Sequence, residues 1–157
     1  MGLRSVLCSI VLVGAVVGCG GSFNVGTVTG KVTLDGQPLP GALVTFSPTA
    51  GGSPSAGRTD VRGTYTLQYT RDVQGAELGE HLVSVSTFSE GDPDSDPPTP
   101  TVPEKVPAKY NEKSQLKQTV SKGVNTINLA LEGGGEISPD AKPKEGLELN
   151  DEREAEN

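Results

Sequence analysis

The fold class this sequence predicts is all-β, and three observations predict it. Glycine and proline recur at short intervals, 21 and 12 of them in 157 residues, and break the chain into short segments. Ala/Leu/Glu/Lys runs with a 3.6-residue period are missing, which leaves helix as a minor element. Several stretches instead alternate apolar with polar residues, the pattern of strands that bury one face. Strands of this kind must cover their apolar faces against one another, so the expected architecture is a single antiparallel β-sandwich.

The elements can be justified in order. Met1 to Arg4 supply a positive amino terminus, and Val6 to Val17 form twelve mostly apolar residues. That length suits the hydrophobic region of a signal peptide and falls well short of the ~20 residues that span a bilayer. The segment ends in Val16-Val17-Gly18-Cys19, which resembles the bacterial lipobox, with Val16 standing where Leu is commoner. The resemblance implies cleavage before Cys19 and lipidation of its thiol with a palmitate-type acyl chain. Residues 1–18 are then a lipoprotein signal peptide and 19–24 a lipidated tether. Cys8 leaves with the leader, so the mature chain keeps one, blocked, cysteine and forms neither a disulfide nor a thiolate metal site.

The globular body is expected over residues 25–131. Val28, Gly30, Val32 and Leu34 share one face of a first strand, with Thr27, Thr29, Lys31 and Thr33 on the other. Asp35-Gly36-Gln37-Pro38-Leu39-Pro40-Gly41 reverses the chain, because its glycines reach positive φ and its prolines donate no ladder hydrogen bond. A second strand carries Ala42, Val44 and Phe46 inward. A flexible stretch from Ala50 to Gly57 and a turn at Thr59–Gly63 lead to a third strand with Tyr65, Leu67 and Tyr69. A fourth presents His81, Val83 and Val85, and a last one Ile127, Leu129 and Leu131. Six prolines between Pro93 and Pro107 imply stiff, extended backbone there.

Gly133-Gly134-Gly135 closes the body, and residues 132–157 read as a disordered acidic tail, with nine Asp/Glu against three Lys/Arg, a net of −6. The whole chain carries −7, so a nucleic-acid partner, which requires clustered Lys and Arg, is excluded.

Candidate chemistry is sparse. His81 is the only histidine, which rules out the paired histidines of zinc hydrolases. Its parity places it inward as a packing residue, so no catalytic residue is assigned. Asp92, Asp94 and Asp96 imitate the start of a calcium loop, but Pro97 and Pro103 stand where that loop needs Gly and a bidentate acid. They are at most weak Ca²⁺ candidates, and no cofactor is expected. Lys31 with Asn125 or Asn128 could be considered for an isopeptide cross-link, yet the parity of Lys31 points it to solvent.

Three runs carry a broader resemblance. Val28-x-Gly30-x-Val32-x-Leu34-Asp35-Gly36-x-Pro38-Leu39-Pro40-Gly41-Ala42-x-Val44 is similar to the opening of carboxypeptidase regulatory-like domains. Thr59-Asp60-x-x-Gly63-x-Tyr65-x-Leu67 and Gly79-Glu80-His81-x-Val83-x-Val85 are similar to their later signatures. Pro107-Ala108-Lys109-Tyr110-Asn111 resembles a segment of small bacterial lipoproteins with this domain. The resemblance implies a seven-stranded prealbumin-like (transthyretin-like) sandwich of Ig-like architecture, without peptidase activity. The resulting expectation is a non-enzymatic envelope lipoprotein, anchored to a membrane through Cys19 and acting as a structural module or on a protein or glycan partner. It would sit in the outer membrane or on the periplasmic face of the inner one. The alternatives are a small-ligand carrier subunit and a small envelope enzyme. The carrier needs a larger cavity than so few bulky side chains can line, and the enzyme needs convergent titratable groups.

Overall fold

A computed structural model describes residues 24–138. The segment expected to be a signal peptide, Cys19 and the tail from residue 139 onward lie outside the described residues. Within them the chain is all-β apart from one 3-10 turn at Ala108–Tyr110. Twelve short strands form two sheets of six.

The first sheet is organised about β1, Val25–Leu34, the longest strand. Its alternation is the expected one: Val28 and Val32 are fully buried, while Lys31 is exposed. One edge takes β2 (Gln37–Pro38), β5 (Thr64–Thr66) and β8 (Ala76–Glu77), all antiparallel. The other edge takes β11 (Val124–Thr126) and β12 (Leu129–Leu131), both parallel. The expectation of purely antiparallel sheets therefore fails here. The last strands return along β1 in its own direction because β10 intervenes and carries the chain back to the starting end of β1.

The second sheet is antiparallel throughout, in the order β10 (Leu116–Val120), β9 (Gly79–Ser86), β3 (Leu43–Pro48), β4 (Ser55–Arg58), β6 (Gln68–Thr70), β7 (Val73–Gln74). The single third strand expected from Tyr65 to Tyr69 is in fact two. Between them Leu67, fully buried, donates its N–H to Val28 O as the last rung of the register with β1, and beyond it the chain crosses from the first sheet to the second. It crosses back at Gly75, whose φ of +119° and N–H to Leu67 O turn β7 into β8. A Cβ at Gly75 would lie 2.2 Å from Gly26 O, so glycine is required there for close approach as well as for conformation.

Both sheets contribute to one buried cluster. Val28, Val32, Tyr65, Leu129 and Leu131 come from the first, and Val44, Phe46, Val83 and Val85 from the second. The Phe46 ring packs tilted on Tyr65 at 6.5 Å and on His81 at 5.8 Å, linking the sheets through three rings. Tyr65 is buried with its hydroxyl donated to Ile127 O at 2.7 Å, and burial pushes its pKa up, as a phenolate there would be both desolvated and without a donor.

Two expected loops are ordered. The Ala50–Gly57 stretch contains β4, in which Ser55 and Gly57 are buried. The proline-rich stretch folds back on itself: Ser89 and Val102 exchange two backbone hydrogen bonds, and Asp92 and Gly91 are tied to Thr99 and Thr101. It is a paired excursion and not an extended spacer. Residues 132–138, grouped with the tail by composition, also bond to the body. Gly133 N donates to Asp35 Oδ1, Glu132 N to the Tyr110 hydroxyl, and Glu136 O accepts from Ala108 N.

A Cβ at Gly30 would meet Ile127 O at 1.7 Å and Tyr65 at 2.9 Å. Gly30→Val should therefore separate β1 from the C-terminal strands and destabilise the fold by about 3 kcal/mol, the upper range for overpacking a filled site. Urea unfolding of the variant should show a lower midpoint with an unchanged slope; an unchanged midpoint would contradict this packing.

Candidate functional site

The chain is polar from end to end. Asn24 and the start of β1 mark one pole, where Leu78 N bonds to Asn24 O. The ends of β1, β9 and β12, the start of β3 and the excursion from Thr87 to Val106 gather at the other. Register fixes this arrangement, since Leu43 pairs with both Ser86 and Arg58, and Leu34 pairs with both Leu131 and Gln37.

The organising group of the second pole is Glu104, a residue sequence reasoning passed over. It is buried, yet no cation pairs with it among the described residues. Six donors face its carboxylate instead. Oε2 accepts from Ser86 Oγ and Asn111 Nδ2, both at 2.6 Å. Oε1 accepts from Thr87 Oγ1 at 2.7 Å and from the backbone N–H groups of Thr87, Lys105 and Val106 at 2.9 Å. Burial alone would push this carboxyl group's pKa up. The hydrogen bonds from Ser86, Thr87 and Val106 outweigh it, and the net shift is downward. One side chain thus ties the end of β9, both legs of the excursion and the turn that bears Asn111.

Beside this clasp lies an open groove of about 620 Å³, lined by Leu39, Pro40, Gly41, Arg58, Thr87, Ser89, Val102 and Lys105. Its shape follows from the local chemistry. Thr59 Oγ1 donates to Leu39 O and accepts from Ala42 N, which pins the Leu39–Gly41 wall. Arg58 Nη1 donates to Gly41 O at 2.8 Å, which orients the guanidinium along that wall. Thr87 and Lys105 are held from behind by Glu104. A smaller hollow of about 150 Å³ at the opposite pole, bounded by Asn24, Val25, Tyr69, Glu77 and Leu78, is too tight for more than a few waters.

The residues singled out in the sequence fall elsewhere. His81 is buried as its parity indicates, with Nε2 2.8 Å from Glu77 O. A carbonyl can only accept, so Nε2 carries the proton, and Nδ1 has no hydrogen-bond partner among the described residues. His81 is therefore a packing residue against Phe46. Asp92, Asp94 and Asp96 lie in the excursion, where Asp92 Oδ1 accepts from Asp94 N in a local turn. The described residues contain no group of three or more His, Cys, Asp or Glu placed to hold a metal ion. Lys31 is exposed, and its backbone N–H takes the Asn128 side-chain oxygen at 2.9 Å. Asn125 is committed to Ser121 and Thr27. Arg58, Lys105 and Glu104 carried no local sequence signal, because they are isolated polar residues in segments that meet only in the fold.

No protein-family model matches the chain, and a search of curated proteins returns no significant match.

The Glu104 clasp makes a directional prediction. A carboxylate whose folded pKa lies below its unfolded value stabilises the fold above the unfolded value and loses that contribution as pH falls through the folded one. Acidification from pH 7 toward 3 should lower the melting temperature of the wild type more than that of Glu104→Gln. At pH 7 the substitution should cost about 2–3 kcal/mol, since an amide nitrogen then confronts a donor that has lost its acceptor. Parallel melting curves for the two proteins across that range would contradict the assignment.

Proposed function

We propose that this chain is an exported lipoprotein of the bacterial envelope, tethered through acylated Cys19. On this reading its body is a carboxypeptidase regulatory-like, prealbumin-like β-sandwich that works as a non-enzymatic interaction module. The observation that carries the reading is the polarity of the fold. The chain enters the body at Asn24, a few residues after Cys19, and the groove opens at the far end of β1. Ten residues of strand at ~3.3 Å each separate the two by roughly 30 Å. A tether on that entry would hold the entry pole toward the lipid surface and present the groove away from it.

The chemistry of the groove favours binding over catalysis. It holds two cations and hydroxyl groups but no histidine or carboxylate on its surface that could act as a general base. His81 is committed to Glu77 O within the core, and Glu104 has both oxygens occupied by donors. The buried rings of Phe46 and Tyr65 and the alternation of β1, β3 and β9 are what a sandwich of the proposed family would need. A structural role or a protein or glycan partner in the envelope fits the exposed groove. A carrier would enclose its ligand, and this groove is open.

Cys19→Ser should abolish incorporation of a palmitate analogue in bacteria that express the full chain, and leave an uncleaved precursor or a water-soluble body. Mass spectrometry of the wild-type protein should find a diacylated or triacylated amino terminus at Cys19. An unmodified amino terminus elsewhere would overturn the tether.

A further inference from the structure

We infer that the groove between the Leu39–Gly41 wall and the Thr87–Lys105 excursion binds a carboxylate of an acidic peptide segment. The inference deepens the interaction-module reading and rests on it. Three features of the groove carry it.

The first is unpaired positive charge in an acidic protein. The chain has a net charge of −7, yet Arg58 and Lys105 reach the groove from different parts of the sequence, and neither pairs with an acidic side chain among the described residues. Elsewhere Arg62, Lys113 and Lys117 are paired with Asp or Glu, and what sets Arg58 and Lys105 apart from the other unpaired cations is that both line one groove. Glu104 lies close behind the wall, but its oxygens are turned to Ser86, Thr87, Asn111 and the Lys105 and Val106 amides, so its charge does not take up the Lys105 ammonium. The second is orientation. One nitrogen of the Arg58 fork is spent on Gly41 O, which anchors the guanidinium at the wall and leaves its other N–H groups without partners among the described residues. A planar fork held this way suits a carboxylate, which accepts two parallel hydrogen bonds. The Ser89 hydroxyl adds a further donor without a partner in the described structure.

The third feature selects the class of ligand. Leu39, Pro40 and Val102 give the groove an apolar side next to its cations, and Val102 is 40% exposed. No aromatic ring lines it, so a sugar would find no face on which to stack. A polyphosphate or nucleic-acid strand would need a row of cations, and the groove offers two. An extended peptide supplies what fits: a carboxylate for Arg58 and Lys105 and an apolar side chain for the Leu39–Val102 side. Exposed ion pairs are individually weak and are screened by salt, so micromolar to millimolar affinity is expected, falling as ionic strength rises.

The test uses the full chain in a non-ionic detergent and fluorescence anisotropy of a short fluorescein-labelled peptide of Glu and Leu, beside its counterpart with Gln in place of Glu. The Glu peptide should bind at least about tenfold more tightly than the Gln peptide at low salt. Arg58→Gln and Lys105→Gln should each weaken it about three- to fivefold, the range that exposed charge pairs support, and the double variant by tenfold or more. Arg58→Lys, which keeps the charge but loses the fork, should bind more weakly than the wild type and more tightly than Arg58→Gln. Circular dichroism melts of all variants should coincide, since both side chains are exposed. Equal binding of the two peptides, no binding of either, or indifference to both substitutions would overturn the inference. So would an Arg58→Lys loss as large as that of Arg58→Gln, which would assign the effect to the Gly41 contact. Competition by inorganic phosphate as effective as that by unlabelled peptide would overturn the peptide assignment. Acylation of Cys19 is read separately: peptide binding without acylation leaves the groove standing and the tether refuted, and acylation without binding does the reverse.

Discussion

The structure depends on how closely other backbones approach β1. This strand is paired along both edges, and every segment that closes the fold takes its register from it: the first reversal at β2, the sheet crossings that flank β6 and β7, and the last two strands. Such approach is possible because β1 presents glycines at positions 26 and 30, where a Cβ would collide with the carbonyls of Ser121 and Ile127. The cost is that β1 lacks two side chains that could have packed, which the Tyr65 ring and the Val120 and Ile127 segments fill. Folding is correspondingly non-local. Contacts such as Lys31 with Asn128 join residues 97 apart, so the chain must bring its ends together before β1 gains its second edge.

The same problem of burying backbone and charge far from a helix is solved differently at the groove pole. An excursion as long as Thr87–Lys105 leaves amide groups that no ladder satisfies, and an apolar residue at position 104 would have covered them without giving them an acceptor. A carboxylate accepts several at once. Taking it out of water costs several kcal/mol, but hydrogen bonds to a charged group return about 1.5–3 kcal/mol each, and Glu104 receives six. The balance falls on the side of the ionised form, in agreement with the downward shift of its pKa. Tyr65 shows the opposite outcome, with one hydrogen bond that it donates and none that it accepts among the described residues, and its ionisation is suppressed.

What was legible in the sequence is the part governed by period. β1, β3, β9 and β12 declare themselves by alternation, and Val28, Val32, Val44, Phe46, Val83, Val85, Leu129 and Leu131 are buried as their parity requires. β4 was not legible, because its buried residues are Ser55 and Gly57, which look like loop composition, although at Gly57 a Cβ would meet Thr66 O at 2.3 Å. The split of the third strand was hidden for a related reason: Tyr65 and Leu67 keep perfect alternation although they precede a change of sheet. The parallel return of the last strands depends on β10, whose alternation of half-buried and exposed residues in Leu116–Val120 is shallow. The groove was illegible in principle. Arg58 and Lys105 become neighbours only through the β3–β4 pairing on one side and the Glu104 clasp on the other.

That last dependence joins the two halves of the pole. Thr87 is at once a wall of the groove and a double donor to Glu104, and Lys105 lends its amide to the same carboxylate while it lines the groove. The groove therefore has no shape independent of the clasp, and a ligand that bridges Arg58 and Lys105 would hold the excursion against β4 in the sense that Glu104 already does. Binding to the folded form alone adds stability by mass action, so occupancy of the groove and ionisation of Glu104 would reinforce each other. Loss of the clasp in acid would then weaken the groove through Thr87 and Lys105, the two lining residues that the Glu104 carboxylate holds in place.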